Sequence, residues 1–221
     1  MAWSDPGDFT SGQILTAAQM DSVREAMFFG QATFTDEAAR DAAIPATGIT
    51  LQEGMRAYLT APTVPAATGG VTSLPSGVTT VYNGSAWVCV TPVSAYTSTS
   101  GTRNSATYGA LTTGGGTNPT VTVTTGTTAM VTVGSNIATG GSNSSGYVGF
   151  SVSGATTLAA SDGYAIVTYS GAGGVVTQAG FSRTFVIDGL TAGTNTFALQ
   201  YRTFTSAATF EVRQLTVQGI A

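Results

Sequence analysis

The sequence predicts a mainly β protein with a short N-terminal helical segment, a small β-hairpin module and a C-terminal β-sandwich of jelly-roll type. Three observations lead to this fold class. Helical periodicity is confined to the first 45 residues, apolar and polar residues alternate in several later stretches, and glycine-rich turns separate those stretches. Alternation with a period of two is typical of half-buried strands, whereas a helix repeats its apolar residues every three or four positions.

The composition excludes most enzyme chemistry. The chain has 221 residues, of which 7 are arginine, 11 are Asp or Glu, and none is lysine or histidine. Without histidine there is no Ser-His-Asp arrangement and no imidazole metal ligand, and without lysine there is no Schiff base. The single cysteine, Cys89, has no partner for an internal disulfide. We therefore predict no catalytic residue, no cofactor and no metal site.

The distribution of charged and apolar residues indicates which partners the protein lacks. The net charge is −4 and the arginines are scattered, so there is no basic patch to neutralise the phosphates of a nucleic acid. No apolar run approaches the ~20 residues of a membrane-spanning helix. The N-terminus lacks the basic and apolar regions of a signal peptide. These features predict no nucleic-acid partner, no membrane span, and synthesis in the cytoplasm without export by that route.

The charge balance changes along the chain, which indicates separate modules. Residues 1–60 contain eight acids and three arginines, a net of −5, whereas residues 61–221 contain three acids and four arginines, a net of +1. The predicted modules are a helical segment at 1–60, a small β module at 61–90, a Ser/Thr-rich linker at 91–106 and the sandwich at 107–221.

Two short amphipathic helices are predicted in the N-terminal segment. Thr16 and Gln19 form a capping box that opens the first helix, and Gly30 ends it. The apolar stripe of this helix consists of Met20, Val23 and Met27. The second helix is predicted from Asp36 to Ala43, with Thr35 as its N-cap. The helices are either a small cap or a docking element, because two short helices have little of their own to pack against.

The other predicted elements are strands. Strands at 54–60 and 78–90 form the small β module, and Asn83-Gly84 indicates a hairpin with a type I′ turn. The candidate strands of the sandwich are 119–124, 127–133, 147–153, 164–170, 183–187, 194–202 and 207–218. The last of these changes phase near Gln214, as a β-bulge would cause.

The large apolar and aromatic residues of the predicted sandwich have two open interpretations, as buried packing residues or as a glycan-binding surface. Residues of alternating phase in the last two strands indicate either the core or an interface between subunits. These residues are Phe197, Leu199, Tyr201 and Phe210. Exposed rings would instead supply stacking faces for a glycan, and the candidates are Tyr147, Tyr164, Tyr169, Tyr201 and Phe204. Of these, Tyr147 and Tyr169 are the predicted glycan contacts.

The enzyme chemistry that this composition allows most readily is a pair of carboxylates, as in glycoside hydrolysis. The acids of the predicted sandwich are Asp162, Asp188 and Glu211, and the first two stand in ordinary turn sequences. The prediction is therefore a protein that is not an enzyme, with a polysaccharide-cleaving protein as an alternative.

Two stretches near the N-terminus resemble proteins of tailed-bacteriophage particles. Residues 3–9 and 12–20 (Trp-Ser-Asp-Pro-Gly-Asp-Phe and Gly-Gln-Ile-Leu-Thr-Ala-Ala-Gln-Met) are similar to the start of many phage minor tail and appendage proteins. A resemblance to a short module of phage tail, fibre and head-appendage proteins is carried by residues 34–45, 53–59 and 81–87. Both imply docking on other phage structural proteins through residues 1–60. The predicted docking residues are Trp3, Phe9, Leu15, Met20, Val23 and Met27.

The C-terminal part resembles the trimeric jelly rolls of tumour-necrosis-factor or C1q type found at the tips of phage appendages. Residues 187–197 and the aromatic strand to Tyr201 carry this resemblance. It implies a homotrimer on the exterior of the virion, with buried Tyr and Phe at the threefold axis. The implied role is a minor tail or tail-fibre component for host adsorption, with a host surface glycan as a partner. The alternative is a capsid decoration or head-fibre protein.

Overall fold

The computed structural model of the chain describes residues 31–46, 50–73, 76–172 and 178–221. The predicted first helix lies outside these residues. So do the predicted docking residues, which are Trp3, Phe9, Leu15, Met20, Val23 and Met27. No helix within the described ranges has the length and apolar composition that a membrane crossing requires.

Strands dominate the described residues. They are β1 (Ala32–Phe34), β2 (Arg56–Leu59), β3 (Ala66–Thr68), β4 (Val71–Ser73), β5 (Val78–Tyr82), β6 (Trp87–Cys89), β7 (Val93–Thr97), β8 (Gly101–Arg103), β9 (Thr113–Gly114), β10 (Thr120–Thr125), β11 (Thr128–Thr139), β12 (Ser145–Gly154), β13 (Ile166–Tyr169), β14 (Gln178–Ile187), β15 (Gly193–Phe204) and β16 (Ala208–Ile220). An α-helix, α1 (Glu37–Ala46), lies between β1 and β2, and a short 3-10 helix (Asp162–Tyr164) lies between β12 and β13. The predicted mainly β class with a small helix is confirmed.

Four strands form what we call the small sheet, in the order β1-β2-β5-β6. Helix α1 follows β1 and begins after Asp36, whose Oδ1 accepts a hydrogen bond from the Ala39 N–H at 2.8 Å. The prediction of Thr35 as the N-cap is therefore wrong by one residue. The Asp36 carboxylate is the group that satisfies an N–H of the first turn, which has no partner inside the helix.

Charged side chains attach helix α1 to its neighbours. Arg40 is buried, with its guanidinium carbon 4.6 Å from the centroid of the Trp87 ring in β6. Glu37 accepts hydrogen bonds from the N–H groups of Thr63 and Val64 at 3.0 and 2.9 Å. These contacts join the helix both to the small sheet and to the segment that precedes β3.

β5 and β6 form the predicted hairpin. Its turn is not of type I′, because a type I′ turn needs two positive φ angles and only Gly84, with a φ of 88°, has one here. Residues 83–86 separate the strands, and the Asn83 Oδ1 accepts hydrogen bonds from the N–H groups of Ser85 and Ala86. The asparagine therefore closes the turn with its side chain.

Two larger sheets pack face to face. The five-stranded sheet has the order β13-β12-β15-β10-β3, and the seven-stranded sheet has the order β14-β11-β16-β7-β4 with β8 and β9 attached. Alternate residues of their strands enclose one continuous core. Its largest fully buried apolar side chains include Tyr201, Phe150, Phe197, Phe210, Ile137, Ile187, Leu199 and Leu215. Cys89 is also buried, and burial raises the pKa of its thiol to about 11.

The predicted bulge lies in β16. The register with β11 changes between Gly134 opposite Gln214 and Asn136 opposite Glu211. Two residues of β16 therefore stand against one residue of β11, and Val212 in the bulge has a φ of 48°. The extra residue returns the alternation to the core side, which is the phase change that the sequence indicates.

The prediction of a linker at 91–106 is wrong. β7 and β8 lie within it, and both pair antiparallel with β16. Val93 and Ala95 are buried in the core, while the hydroxyl of Ser94 lies 2.7 Å from that of Thr216 on the outer face. A strand with only two small apolar side chains has weak alternation, so tertiary pairing and not local pattern makes it a strand. The placement of the functional modules stays a prediction.

Candidate ligand-binding face

The outer face of the five-stranded sheet carries exposed aromatic side chains. Tyr169 of β13 and Phe204 of β15 both lie opposite Ser145 of β12, so the three residues form one row across the sheet. Tyr169 and Phe204 are 61% and 59% exposed, whereas Ser145 between them is 4% exposed. Because neighbouring strands lie ~4.8 Å apart, the two aromatic residues stand on backbones roughly 10 Å apart.

A second row lies two residues further along the same strands. Val167 of β13, Tyr147 of β12 and Arg202 of β15 lie opposite one another. The guanidinium carbon of Arg202 is 3.8 Å from the centroid of the Tyr147 ring, a cation–π stacking contact. We call the two rows, together with Tyr108 and Asp162, the aromatic face.

Asp162, in the 3-10 helix between β12 and β13, holds Arg202 in place. Arg202 donates two hydrogen bonds to the carboxylate, from Nε to Oδ1 at 2.8 Å and from Nη2 to Oδ2. The Tyr108 hydroxyl donates to Oδ1 at 2.9 Å, and the Arg202 guanidinium carbon lies 5.5 Å from the centroid of the Tyr108 ring. A bidentate pair of this kind has a defined geometry, so the charged groups and the two rings form one cluster.

The electrostatics of the cluster follow from these contacts. The hydrogen bonds from Arg202 lower the pKa of the Asp162 carboxyl, and the same contact raises the pKa of Arg202. Burial, together with the hydrogen bond to Asp162, raises the pKa of the Tyr108 hydroxyl. At neutral pH the cluster therefore carries one negative charge and one positive charge. It presents carboxylate oxygens as hydrogen-bond acceptors and ring faces as stacking surfaces.

Gly149 of β12 allows the cluster to lie close to the sheet. A Cβ atom at this position would lie 3.3 Å from Cε1 of Tyr108 and 3.2 Å from the carbonyl oxygen of Tyr164. Both neighbours lie over the outer face of β12. The missing side chain therefore lets the Tyr108 ring and the 3-10 helix approach the strand more closely than an alanine would allow.

The three acids of the sandwich do not come together. Asp162 lies on the outer side of the five-stranded sheet, whereas Glu211 lies on the outer face of the seven-stranded sheet and accepts a hydrogen bond from Gln178 at 3.2 Å. Asp188 follows β14 and accepts a hydrogen bond from the Thr128 hydroxyl at 2.9 Å. Within the described ranges there is also no cluster of three or more His, Cys, Asp or Glu side chains that would hold a metal ion.

The structure separates the predicted site residues of the sandwich into two groups. Those buried inside the sandwich of the single chain are Phe197, Leu199, Tyr201 and Phe210. Of the two interpretations left open for them, this burial fits the core. Tyr169, one predicted glycan contact, is exposed and donates a hydrogen bond to the Asn143 Oδ1 at 3.0 Å. Tyr147, the other, is half-buried beneath Arg202.

Sequence reasoning missed the cluster that lies beside these tyrosines. The alternation of β15 contains a signal for part of it, since Arg202 and Phe204 must point away from the core if Tyr201 points into it. No local signal indicates Tyr108 or Asp162, which are 94 and 40 residues away from Arg202 and lie outside the strands. Only the folding of the chain brings these residues together.

The chain matches no protein-family model and no curated protein. Among solved structures, a xylan-binding module described as CBM15 is 12% identical, with a TM-score of 0.29, over 75% of this chain and 96% of that one. The apo form of a cyclase from Fischerella sp. is 14% identical, with a TM-score of 0.23, over 66% of this chain and 64% of that one. Likenesses of this size do not indicate a shared function.

Proposed function

We propose that the chain is a structural protein of a bacteriophage particle, without enzyme activity, that binds a glycan through the aromatic face. The observation that carries the glycan-binding part is the pair of exposed rings, Tyr169 and Phe204, on one row of the sheet. Large apolar side chains that are exposed together commonly mark an interaction site. Ligand sites combine such rings with a few placed polar groups, and here Asp162 and Arg202 supply them.

The phage context rests on the resemblance of the N-terminal part to virion proteins. In this proposal residues 1–60 dock on other phage structural proteins and the sandwich projects from the particle. A glycan-binding face fits a minor tail or tail-fibre component that takes part in host adsorption. A polysaccharide-cleaving role has less support, because the carboxylates of the sandwich lie on different sides of the molecule.

A glycan array with the purified protein, followed by calorimetry on the best ligand, tests glycan binding. We expect Tyr169→Ala and Phe204→Ala each to weaken binding by about tenfold, because a lost stacking contact costs roughly 1.4 kcal/mol or more. Val71→Ala is the matched control, since Val71 is an equally exposed apolar residue on the seven-stranded sheet. Absence of binding, or equal losses for all three variants, would contradict the proposal.

The docking part is tested separately, on the particle. Deleting residues 1–30 is expected to abolish incorporation into virions while the sandwich remains folded by circular dichroism. A truncated chain that still copurifies with particles would show that docking lies elsewhere. A cryo-EM map of the particle would then locate the chain on the tail or on the capsid.

A second candidate function, assembly of copies on the particle surface, is favoured by the outer face of the seven-stranded sheet. Threonines pair across its strands, with the Thr132 and Thr184 hydroxyls 2.8 Å apart. Exposed apolar side chains, Met130 and Val186, stand beside them. Hydroxyls that already hydrogen-bond to each other lose fewer hydrogen bonds to water when the face is dehydrated than unpaired hydroxyls do. Such a face therefore suits contact with another protein.

Mass photometry tests this assembly. The homotrimer implied by the resemblance predicts a trimer at micromolar concentration, and Thr132→Arg, which places a charge in the centre of the face, is expected to produce monomers. Gln200→Arg on the opposite sheet is the control for the added charge. A wild-type protein that remains monomeric would remove this candidate and leave glycan binding unaffected.

A further inference from the structure

We infer that the aromatic face selects uncharged oligosaccharides and rejects acidic ones, because its arginine is neutralised and its carboxylate is the charged group that a ligand meets. This inference rests on the proposed glycan binding and adds the chemical class of the ligand. Its basis is the balance of charges on the face and the accessibility of each charged group.

The charged groups that face this surface form a single pair. Arg202 of β15 and Asp162 of the 3-10 helix are its only acidic or basic side chains among the described residues, and the other titratable groups there are the hydroxyls of Tyr108, Tyr147 and Tyr169. Arg103, which precedes the segment of Tyr108, is buried and donates instead to the carbonyl oxygen of Thr107. Both arginines near this face that the structure describes are therefore already engaged, Arg202 with Asp162 and Arg103 with carbonyl oxygens.

The two members of the pair differ in accessibility. The side chain of Asp162 is 54% exposed, whereas that of Arg202 is 15% exposed. Nε and Nη2 of Arg202 are both bonded to the carboxylate, and its guanidinium carbon lies 3.8 Å from the centroid of the Tyr147 ring. A ligand on the face therefore meets carboxylate oxygens before it meets the guanidinium.

This arrangement discriminates between neutral and acidic sugars because the Asp162 carboxylate repels a second carboxylate. The hydroxyl groups of a neutral sugar donate hydrogen bonds to the exposed carboxylate while the sugar rings stack on Tyr169 and Phe204. A uronic or sialic acid brings a second carboxylate beside Asp162. To pair with Nε and Nη2 of Arg202 it would have to displace Asp162 and leave that carboxylate with the Tyr108 hydroxyl alone. A contact at Nη1 would keep the ion pair but would place two carboxylates on one guanidinium.

The test uses pairs of oligosaccharides that differ in charge alone. Hexasaccharides of β-1,4-glucan and β-1,4-galactan are compared by calorimetry with the same chains oxidised at C6 to the uronates, alongside sialylated and neutral glycans on the array. We expect the neutral form of the bound oligosaccharide to bind at least about tenfold more tightly than its oxidised form at pH 7.

Asp162→Asn is expected to reduce the ratio of the affinity for the neutral chain to the affinity for the oxidised chain by about tenfold, or to invert it. The reason is that the variant releases the positive charge of Arg202. The readout is the ratio within each variant, so a general loss of affinity does not change it. Asp188→Asn removes the same charge at a distant position, beside Thr128, and is expected to keep the wild-type ratio.

The outcomes separate the inference from the function on which it rests. Equal or tighter binding of the oxidised chains by the wild type would overturn the inference and leave glycan binding in place. An unchanged ratio in Asp162→Asn would likewise overturn it. Failure of every neutral and acidic glycan to bind would overturn the proposed function, and the inference with it.

Discussion

Strand β15 separates two arginine–tyrosine clusters of opposite character. Tyr201 and Arg202 are consecutive, so one points into the core and the other to the outer face. Inside, Arg213 of β16 is 1% exposed and donates to the Tyr201 hydroxyl at 3.0 Å and to the carbonyl oxygens of Thr99, at 3.2 Å, and Gly115. Outside, Arg202 pairs with a carboxylate at the edge of solvent.

The difference indicates what each arginine does. The ion pairs of the described residues belong to Arg40 and Arg202. The charge of Arg213 is instead stabilised by neutral oxygen atoms and by the Tyr201 ring, whose centroid lies 5.5 Å from its guanidinium carbon. Its Nε is buried with no hydrogen-bond partner among the described residues. A buried charge is costly unless such bonds stabilise it, so Arg213 acts to hold the segments around Thr99 and Gly115 against the core. Arg202 has its charge balanced by Asp162, whose carboxylate remains exposed on the outer face.

The largest expected effect is on stability when the inner arginine is removed. Arg213→Ala leaves a cavity and several buried oxygens without donors, which we expect to lower the free energy of unfolding by about 3–5 kcal/mol. Arg202→Ala breaks a pair whose carboxylate is exposed to solvent, and it is expected to cost about 1 kcal/mol. Denaturant unfolding of both variants measures the contrast, and Arg213→Met separates lost volume from lost hydrogen bonds. Equal losses for the two alanine variants would remove the distinction.

The next largest effect on stability is expected at Gly149 of β12. This strand lies beneath the outer cluster, which consists of Arg202, Asp162, Tyr147 and Tyr108. Gly149→Ala places a Cβ atom 3.2 Å from the Tyr164 carbonyl oxygen and 3.3 Å from the Tyr108 ring, and we expect a loss of about 1–3 kcal/mol. Gly134→Ala is the control, because its nearest contacts would be at 3.7 Å, ordinary van der Waals distances. A cost at Gly134 as large as that at Gly149 would show that close approach to Tyr108 is not the cause.

The inner cluster also predicts sensitivity to alkaline pH. Burial raises the pKa of Tyr201 to about 12, so above pH 10 the unfolded tyrosine loses its proton while the folded one keeps it. The stability contributed by this raised pKa is therefore complete below pH 10 and declines above it, by about 1.4 kcal/mol at pH 11. Thermal unfolding between pH 8 and about 11.5 measures the decline. Tyr201→Phe should make the decline shallower by about that amount, while the raised pKa values of Cys89 and Tyr108 account for the remainder. An equally steep curve in that variant would assign the whole decline to those other groups.

The outer cluster predicts the smallest effect, on the acid side. Hydrogen bonds from Arg202 lower the pKa of Asp162, so its stabilising contribution is present above the ordinary Asp pKa and is lost as pH falls through the lowered value. Because the carboxylate is exposed, the loss should be below about 1 kcal/mol. Unfolding at neutral and at strongly acidic pH, compared between wild type and Asp162→Asn, detects it. A large acid effect that disappears in the variant would mean that the outer pair supports the fold as strongly as the inner one.

Sequence reasoning predicted the parts of this molecule that depend on local pattern. The long strands of the sandwich were found because their side chains alternate, as Phe197, Leu199 and Tyr201 do in β15. The bulge in β16 was found because the alternation changes phase near Gln214. The hairpin at Asn83 was found from its residues, although the turn closes by a side-chain hydrogen bond that propensity does not specify.

The failures have a common physical origin. The sequence predicts a linker at 91–106 because Ser and Thr dominate that segment, whereas β7 within it pairs with residues of β16 more than 100 positions away. The burial of Arg40 against Trp87 and of Arg213 against Tyr201 contradicts the usual exposure of arginine. In each case the partner supplies what the local sequence lacks, either a strand to pair with or an oxygen or ring that stabilises a buried charge.

Alternation, turn residues and composition are properties of the chain itself, and they determined the fold class, most strands and the face on which each strand residue lies. Pairing across the sheets is a property of the folded molecule. It decided that Tyr169 and Phe204 share a row, that Asp162 meets Arg202, and that Arg213 of the opposite sheet meets the Tyr201 hydroxyl. The physical reason is that the sterics of a strand place its successive side chains on opposite faces. Which strand lies beside it depends instead on the free energy of the whole packed core.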